Sequence, residues 1–345
     1  MRLLAIESSC DETAAAVLSS PLQVESSVVA SQIEDHQPFG GVVPELAARE
    51  HVKALPFVLK QAVAESGRGW EDLDAVAVSQ GPGLSSSLLA GLSAGWAVSR
   101  RLGIPFYPVH HLEGHVMSLF FSQQAQEAEE VCPALVLLVT GGHTALLKMT
   151  APGDYEILGR SIDDAAGEAL DKGARLLGLD YPGGPEIERL ASDAVRRDTW
   201  FPLGTPHGEE AKKRGGPFPF SFSGLKTSLR VFLEREPSTA RAEVAYAYQH
   251  AVMHTLVKRV DQVLQNDREI RSVACVGGVA KNQVLNQELR ARVEARALPF
   301  ITVPGPYCTD NAAMIGAVPL MTEMDAADVF PAADPNLPLR GLRLR

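Results

Sequence analysis

Three of the chain's nine histidines fall within six residues: His110, His111 and His115 in "PVHHLEGHVMS". His111 and His115 are four apart, so on a helix they would share one face and could share a metal ion. Glu113 lies between them, at the wrong offset for the H-E-x-x-H of a zinc protease, so that reaction lacks its general base. Two imidazoles need a third ligand. Asp310 in "CTDN" is a candidate, because it stands at a strand-to-helix junction as the histidines do. A His₂–carboxylate set with open positions suits Zn²⁺ or Fe²⁺. Surface or capping histidines would explain the same spacing. Three ligands from six residues would strain the backbone, so His110 is expected to orient a neighbour or to pack.

A second group of residues suits a nucleotide. "SIDDAAGEALDKGARLLGLDYPGGPEIE" opens a helix with Asp163 and Asp164 near its start, where carboxylates cap well. Asp164, Glu168 and Asp171 then share a face. That face is either simply solvated, or it carries Asp171 to a ribose. "YPGGP" is a tight loop where backbone can approach a ligand. "FPFSFSGLKT", with Lys226, either stacks on bases or anchors a packed loop. Lys212 to Arg214 is either a phosphate contact or a solvated run.

These residues need elements to hold them. The chain has 345 residues, 46% of them hydrophobic and 21% charged, a soluble balance and about two domains' worth of length. Its longest apolar run, Leu84–Val98, is too short and too broken to span a bilayer, and reads as a buried helix. The start carries no basic n-region and no cleavage site. Cys10, Cys132, Cys275 and Cys308 form no C-x-x-C pair, which fits a reduced, cytoplasmic setting. A net charge of −10 argues against holding nucleic acid by bulk charge alone, but leaves room for basic patches or a basic partner.

Two segments look alike. "LLAIESSCDETAAAVLS" (Leu3–Ser19) and "LVLLVTGGHTALLKM" (Leu135–Met149) are each an apolar strand, a small polar turn and a second apolar strand. The backbone N–H groups of such a turn can hold an anion. The pair suggests a duplication, or merely two hairpins. Strands alternate with helices along the rest, as in an α/β protein. A strand, a Gly-Pro-Gly turn and a long helix occupy 75–103. A strand, the Gly277–Gly278 turn and a helix follow Ile270. A boundary is expected within 120–133, and 196–220 reads as a long irregular insertion.

Taken in order, "ESSCDET", "GGVVPELAAREH", "QGPGL", "HHLEGH", "TGGHT", "SIDDAAGEALDK", "GLDYPGGP", "FSFSGLKT", "GGVAKN" and "CTDNAAMI" closely resemble the TsaD family, in its bacterial and organellar branch. The resemblance runs from Met1 to about Gly316. It implies an actin-like, sugar-kinase-like fold of two duplicated α/β domains with mixed sheets. The first would hold 1–120 with a C-terminal segment of about 320–345, and the second 131–319. It also implies transfer of a threonylcarbamoyl group from threonylcarbamoyl-AMP to N6 of adenosine 37 in tRNAs reading ANN codons, with release of AMP.

The family's metal, Fe²⁺ first and Zn²⁺ as the alternative, carries over onto His111, His115 and Asp310. Its donor-binding positions carry over onto Leu138, Val139, Thr140, Gly141, Gly142, Asp171, Gly184 and Asn282, with Glu188 a weaker match. Asp11 and Glu12 match acidic active-site residues. The implied partners are a TsaB-like paralogue and a TsaE-like ATPase, or a second copy of the chain, with no membrane. The ending "ADPNLPLRGLRLR" departs from the family pattern. The rival readings are an actin-like ATPase or small-molecule kinase, a metalloprotease, and a non-catalytic scaffold.

Overall fold

The computed structural model describes residues 1–125, 127–196 and 198–339. The chain divides into two compact units. One takes residues up to 125 and those from Val303 onward; the other is Glu127–Thr302.

The first unit is built on a five-stranded sheet of order β3-β2-β1-β4-β5. Its strands are β1 (Arg2–Glu7), β2 (Glu12–Ser19), β3 (Gln23–Ser31), β4 (Ala75–Gly81) and β5 (Phe106–His110). β1–β2 and β2–β3 are antiparallel, whereas β1–β4 and β4–β5 are parallel. β1 reads Leu-Leu-Ala-Ile without alternation because both of its faces are covered: Leu3, Leu4 and Ile6 are fully buried. Each contributes about 1.5–3 kcal/mol by leaving water. A short α1 (Ile33–His36) precedes α2 (Pro44–Glu65). Helices α3 (Ser85–Leu102) and α4 (His111–Met117) follow β4 and β5. The run read as a buried helix is α3. It buries one face, through Leu88 and Leu92, and exposes Leu89.

The second unit starts with α5 (Ala128–Val131) and repeats the plan. Its strands are β6 (Ala134–Val139), β7 (Thr144–Ala151), β8 (Asp154–Arg160), β9 (Ser272–Val276) and β10 (Phe300–Thr302), in the order β10-β9-β6-β7-β8. Read from the other edge, that is the order of the first sheet. The pairing senses match too: β6–β7 and β7–β8 antiparallel, β6–β9 and β9–β10 parallel. The two look-alike hairpins are therefore equivalent corners of two copies of one design. Around this sheet lie α6 (Ala166–Leu176), α7 (Gly183–Ser192), α8 (Glu209–Gly215), α9 (Ser223–Arg235), the long buried α10 (Arg241–Asn266) and α11 (Gln283–Glu294).

Two features differ from the expectation. The chain rejoins the first unit at Val303 rather than near 320, because α12 (Ala312–Met321) packs its almost wholly apolar surface on β1 and β2. Residues 196–220 are not an irregular excursion throughout. They contain α8, and Arg259 of α10 pins them by donating to the carbonyls of Pro206 and Pro219. The tail runs along the first sheet, with Ala327 N–H donating to Phe106 O and Asp334 N–H to Gln80 O. The last residues of the atypical ending, 340–345, lie outside the described residues. Among the described residues no helix is long and apolar enough to cross a membrane, and the four cysteines are free thiols.

Candidate functional site

Strand β5 ends on His110, and α4 starts on the next residue. His110 caps that helix. Its Nδ1 accepts from Leu112 N–H at 3.2 Å, and its Nε2 lies 2.9 Å from the Leu337 carbonyl. An Nδ1 that accepts must be unprotonated, so Nε2 carries the hydrogen and donates. His110 thus fastens both the helix and the tail.

His111 and His115 stand one turn apart on α4, buried, with ring centroids 4.8 Å apart and planes at 84°. Asp310 comes from the loop before α12, next to Asn311, whose side-chain oxygen caps that helix on Met314 N–H. The Nε2 atoms of His115 and His111 lie 3.0 and 3.8 Å from Asp310 Oδ1. One ligand atom from each of the three residues falls within 4.8 Å of the others.

Behind His111 stands Glu7, fully buried at the end of β1. Its Oε2 is 3.0 Å from His111 Nδ1, and its Oε1 accepts from Ser9 N–H. Nδ1–H donating to that carboxylate turns Nε2 toward Asp310, as second partners of metal-binding histidines do. Burial alone would lower the His111 pKa, but the Glu7 and Asp310 charges outweigh it and lift it to about 9. Burial depresses His115. Among the described residues, the fully buried His115 ring has only the 3.0 Å approach of its Nε2 to Asp310 Oδ1 as a polar contact. Leaving such a group unsatisfied is costly, and a shared divalent cation would satisfy it. The residues fit a metal.

Asp11 and Glu12 occupy the turn from β1 to β2. Burial raises both carboxyls, and Asp310 raises each further. Glu12, which also feels Asp11, reaches about 8. The mutual effect places these acids in one electronegative pocket with Asp310. A buried network steadies the turn. His51 of α2 meets Thr13 Oγ1 at 2.7 Å and the Cys10 carbonyl at 3.0 Å. His36 meets Gln32 Oε1 at 3.2 Å, and Gln32 reaches Thr13 and the Ala47 carbonyl.

The other expected positions gather in the second unit. Leu138 and Val139 are fully buried, so they can offer a ligand only backbone. Thr140 closes the β6–β7 turn by receiving His143 N–H on Oγ1 at 3.0 Å. Gly141 and Gly142 are exposed, with open space where a side chain would stand. Three helix starts abut these residues. Gly141 O accepts from Glu168 N–H of α6 at 3.0 Å. Asp171 Oδ1 accepts from Gly183 N–H at 2.8 Å, holding the start of α7 beside Gly184. Asn282 caps α11 on Leu285 N–H at 3.0 Å, while Glu188 accepts from Gln283 N–H at 2.7 Å. Gly277, at φ +95°, presses so closely that a Cβ there would come within 2.4 Å of the Val139 carbonyl. Exposed turn amides beside helix starts make an anion and nucleoside cradle.

Some expectations move. Asp163 does not cap α6. It gathers the "FSFSG" loop instead, accepting from Ser221 Oγ, Phe222 N–H and the N–H and Oγ of Ser223. Phe220 and Phe222 are fully buried, so they anchor the loop rather than stack on bases. Asp164 and Glu168 both pair with Lys172. Arg214 donates to the Ile162 carbonyl, while Lys212 and Lys213 stay exposed. Glu7, His36 and His51 were not singled out in sequence. Glu7's signal is an acid ending an otherwise apolar strand.

Comparison with known proteins agrees with this geometry. The TsaD family profile, described as tRNA N6-adenosine threonylcarbamoyltransferase, matches residues 23–317. A tRNA N6-adenosine threonylcarbamoyltransferase of Prochlorococcus marinus (strain MIT 9313) is 44% identical, over 92% of this chain and 89% of its own. That of Moorella thermoacetica is 43% identical, over 98% and 97%. Among solved structures, HypF of T. kodakarensis aligns with a TM-score of 0.60 and 15% identity over 92% of this chain and 47% of that one. Component A of the (R)-2-hydroxyglutaryl-CoA dehydratase of Acidaminococcus fermentans aligns with a TM-score of 0.52 and 13% identity, over 92% and 96%. At those identities the likeness carries the fold alone: actin-like and sugar-kinase-like, with two mixed sheets flanked by helices.

Proposed function

The chain belongs to the TsaD family of tRNA N6-adenosine threonylcarbamoyltransferases, and from that premise we propose what each unit contributes to the transfer. The reaction makes N6-threonylcarbamoyladenosine in tRNA. The proposed target is adenosine 37 of tRNAs reading ANN codons, and the proposed donor is threonylcarbamoyl-AMP. The amine N6 forms a bond to the carbamoyl carbon, the bond from that carbon to the AMP phosphate oxygen breaks, and N6 loses a proton.

The first unit would hold one divalent metal, Fe²⁺ or Zn²⁺, on His111, His115 and Asp310. The observation that carries this reading is the convergence of one ligand atom from each of the three residues to within 4.8 Å, with His115 fully buried. When bound, the ion supplies Lewis-acid stabilisation of the charge that develops on a substrate oxygen. Glu7 fixes the tautomer and direction of His111. The adenine amine is a weak nucleophile, because its lone pair is delocalised into the ring, so positioning matters more than basicity. Its proton still needs an acceptor. A carboxyl poised near neutral pH suits that task. Asp11 and Glu12, both raised by burial, are the two candidates.

The second unit would hold the adenylate. The exposed amides of Gly141 and Gly142 face its phosphate, and Asp171 and Glu188 take ribose hydroxyls. The α11 start at Asn282 receives the base. A TsaB-like paralogue and a TsaE-like ATPase, or a second copy of this chain, would complete the assembly in the cytoplasm, where its tRNA substrate is found.

The test is a reconstitution with unmodified ANN-decoding tRNA and threonylcarbamoyl-AMP, with and without candidate partners. Nucleosides are digested out and read by mass spectrometry. Modified nucleoside from the wild type, and none from a His111→Ala/His115→Ala protein, is the expected result. ATP turnover on a small acceptor with no modified tRNA would overturn the reading in favour of a kinase.

A further inference from the structure

The second unit carries another set of ligating side chains, outside everything assigned above. His250 and His254 lie four apart on α10, the spacing that puts two imidazoles on one flank of a helix. Their rings stack, with centroids 5.1 Å apart and planes 11° apart. Glu288 of α11 faces them, its Oε2 3.4 Å from His254 Nδ1. One ligand atom from each residue lies within 4.8 Å of the others.

The two helices pack side by side. Further along them, Arg292 of α11 and Arg296, just past its end, both reach Asp261 of α10. Arg290 pairs with Glu294, and Arg292 and Arg296 with Asp261, while Glu288 turns to the histidines. His254 and Glu288 are each about a third exposed, so an ion and a completing water can reach them. An ordinary ion pair would use one histidine and the glutamate. The second ring, His250, stacks on His254 and also brings a nitrogen within 4.8 Å of the other two ligand atoms.

We propose that His250, His254 and Glu288 form a second divalent-metal site that clamps α10 to α11. Two imidazoles and one carboxylate on helices suit Zn²⁺ and its borderline-soft neighbours Co²⁺ and Ni²⁺. Bonds of ~2.0–2.1 Å in a tetrahedron bring ligand atoms to about 3.3 Å apart. His254 and Glu288 already stand at that spacing, and rotation of His250 about its side-chain bonds closes the rest. The clamp would brace α11, whose first turn carries Asn282 and the Glu188 contact. It differs from the His111–His115–Asp310 centre in ligands, in unit and in exposure.

The experiment uses the full chain, stripped with a chelator. Zn²⁺ uptake is counted after desalting, Co²⁺ gives the absorption bands of a tetrahedral site, and urea denaturation is followed with and without Zn²⁺. The wild type is expected to take two ions per chain. A His111→Ala/His115→Ala protein should keep one, with the Co²⁺ bands and a Zn²⁺-dependent rise in urea midpoint. A His250→Gln/His254→Gln protein should also keep one, and the same two changes added to the His111→Ala/His115→Ala protein should abolish both uptake and the rise. Glu288→Gln, a mild change at a part-exposed position, should weaken the retained site at least tenfold and serves if the double variant folds poorly. The proposal is overturned if the His111→Ala/His115→Ala protein takes up no Zn²⁺. It is equally overturned if His250→Gln/His254→Gln or Glu288→Gln, placed in the His111→Ala/His115→Ala background, keeps the full Zn²⁺ response. Because one ion is counted in the absence of the other, failure here leaves the transferase reading untouched.

Discussion

In the first unit the turn between the two leading antiparallel strands, residues 8–11, is walled in: Ser8 and Ser9 are buried, and Leu84 N–H ties down the Ser9 carbonyl. In the second unit the equivalent turn, Thr140–His143, stands open over two exposed glycines. The surrounding frame is otherwise shared. In each unit a glycine turn after the fourth strand presses on the hairpin, Gly83 against the Ser9 carbonyl and Gly277 against the Val139 carbonyl. One frame has filled its corner with carboxylates and histidines, which suits a cation. The other has emptied the same corner to bare amides, which suits an anion. Duplication supplied the scaffold twice, and on the proposed function the side chains at one turn divide the work.

The largest test of that division removes the cation side. A His111→Ala/His115→Ala protein should lose its metal from this centre and at least about a hundredfold of its transfer rate, while calorimetric AMP binding to the second unit stays unchanged. A parallel loss of AMP affinity would show that the units do not divide the work. Next comes Glu7→Gln, which keeps the shape but not the charge behind His111. Metal affinity should fall about 10–100-fold, measured by competition with a chromophoric chelator.

The glycine turns give a third contrast. Gly277→Ala meets a carbonyl at a positive φ and should cost about 1–3 kcal/mol in urea unfolding. Gly142→Ala has open space, so stability should hold within about 0.5 kcal/mol while AMP binding weakens. Equal destabilisation by the two would remove the distinction between closed and open corners.

The smallest effect concerns Asp163. Burial works to raise its pKa, but four hydrogen bonds from Ser221, Phe222 and Ser223 hold it below the ordinary carboxylate value. Its stabilisation is therefore complete above the unfolded carboxyl pKa, about 4, and is lost as pH falls through the lower folded value. The group is largely solvated, so the loss should stay under about 1 kcal/mol. Asp163→Asn should flatten the acid limb of a stability–pH curve, and an unchanged limb would mean that the loop is held by its buried rings alone.

Much of this was legible in sequence. Strand and hairpin periodicity showed the repeated corner, and the i, i+4 histidines with Asp310 at a junction named three residues that the fold brings together. What escaped were groups that acquire meaning only through packing. Glu7 looks like one acid in a strand until α4 brings His111 to it. His36 and His51 serve a turn that lies many residues away in the chain. Asp163 sits where a cap belongs, but the returning Phe220–Ser223 segment competes for its oxygens and wins. The return at Val303 was missed because α12 is apolar all round and shows no face to assign.

Asp310 reaches its histidines only after the chain has left the first unit, made the whole of the second, and come back. During translation the first sheet's five strands and both imidazoles emerge early, without their third ligand. On the proposed function, an ion could settle on this centre only once the polypeptide is nearly finished. A product cut short just before Asp310 by a stalled ribosome or a premature stop codon could not complete that centre, whereas the His250–His254–Glu288 set would already be present.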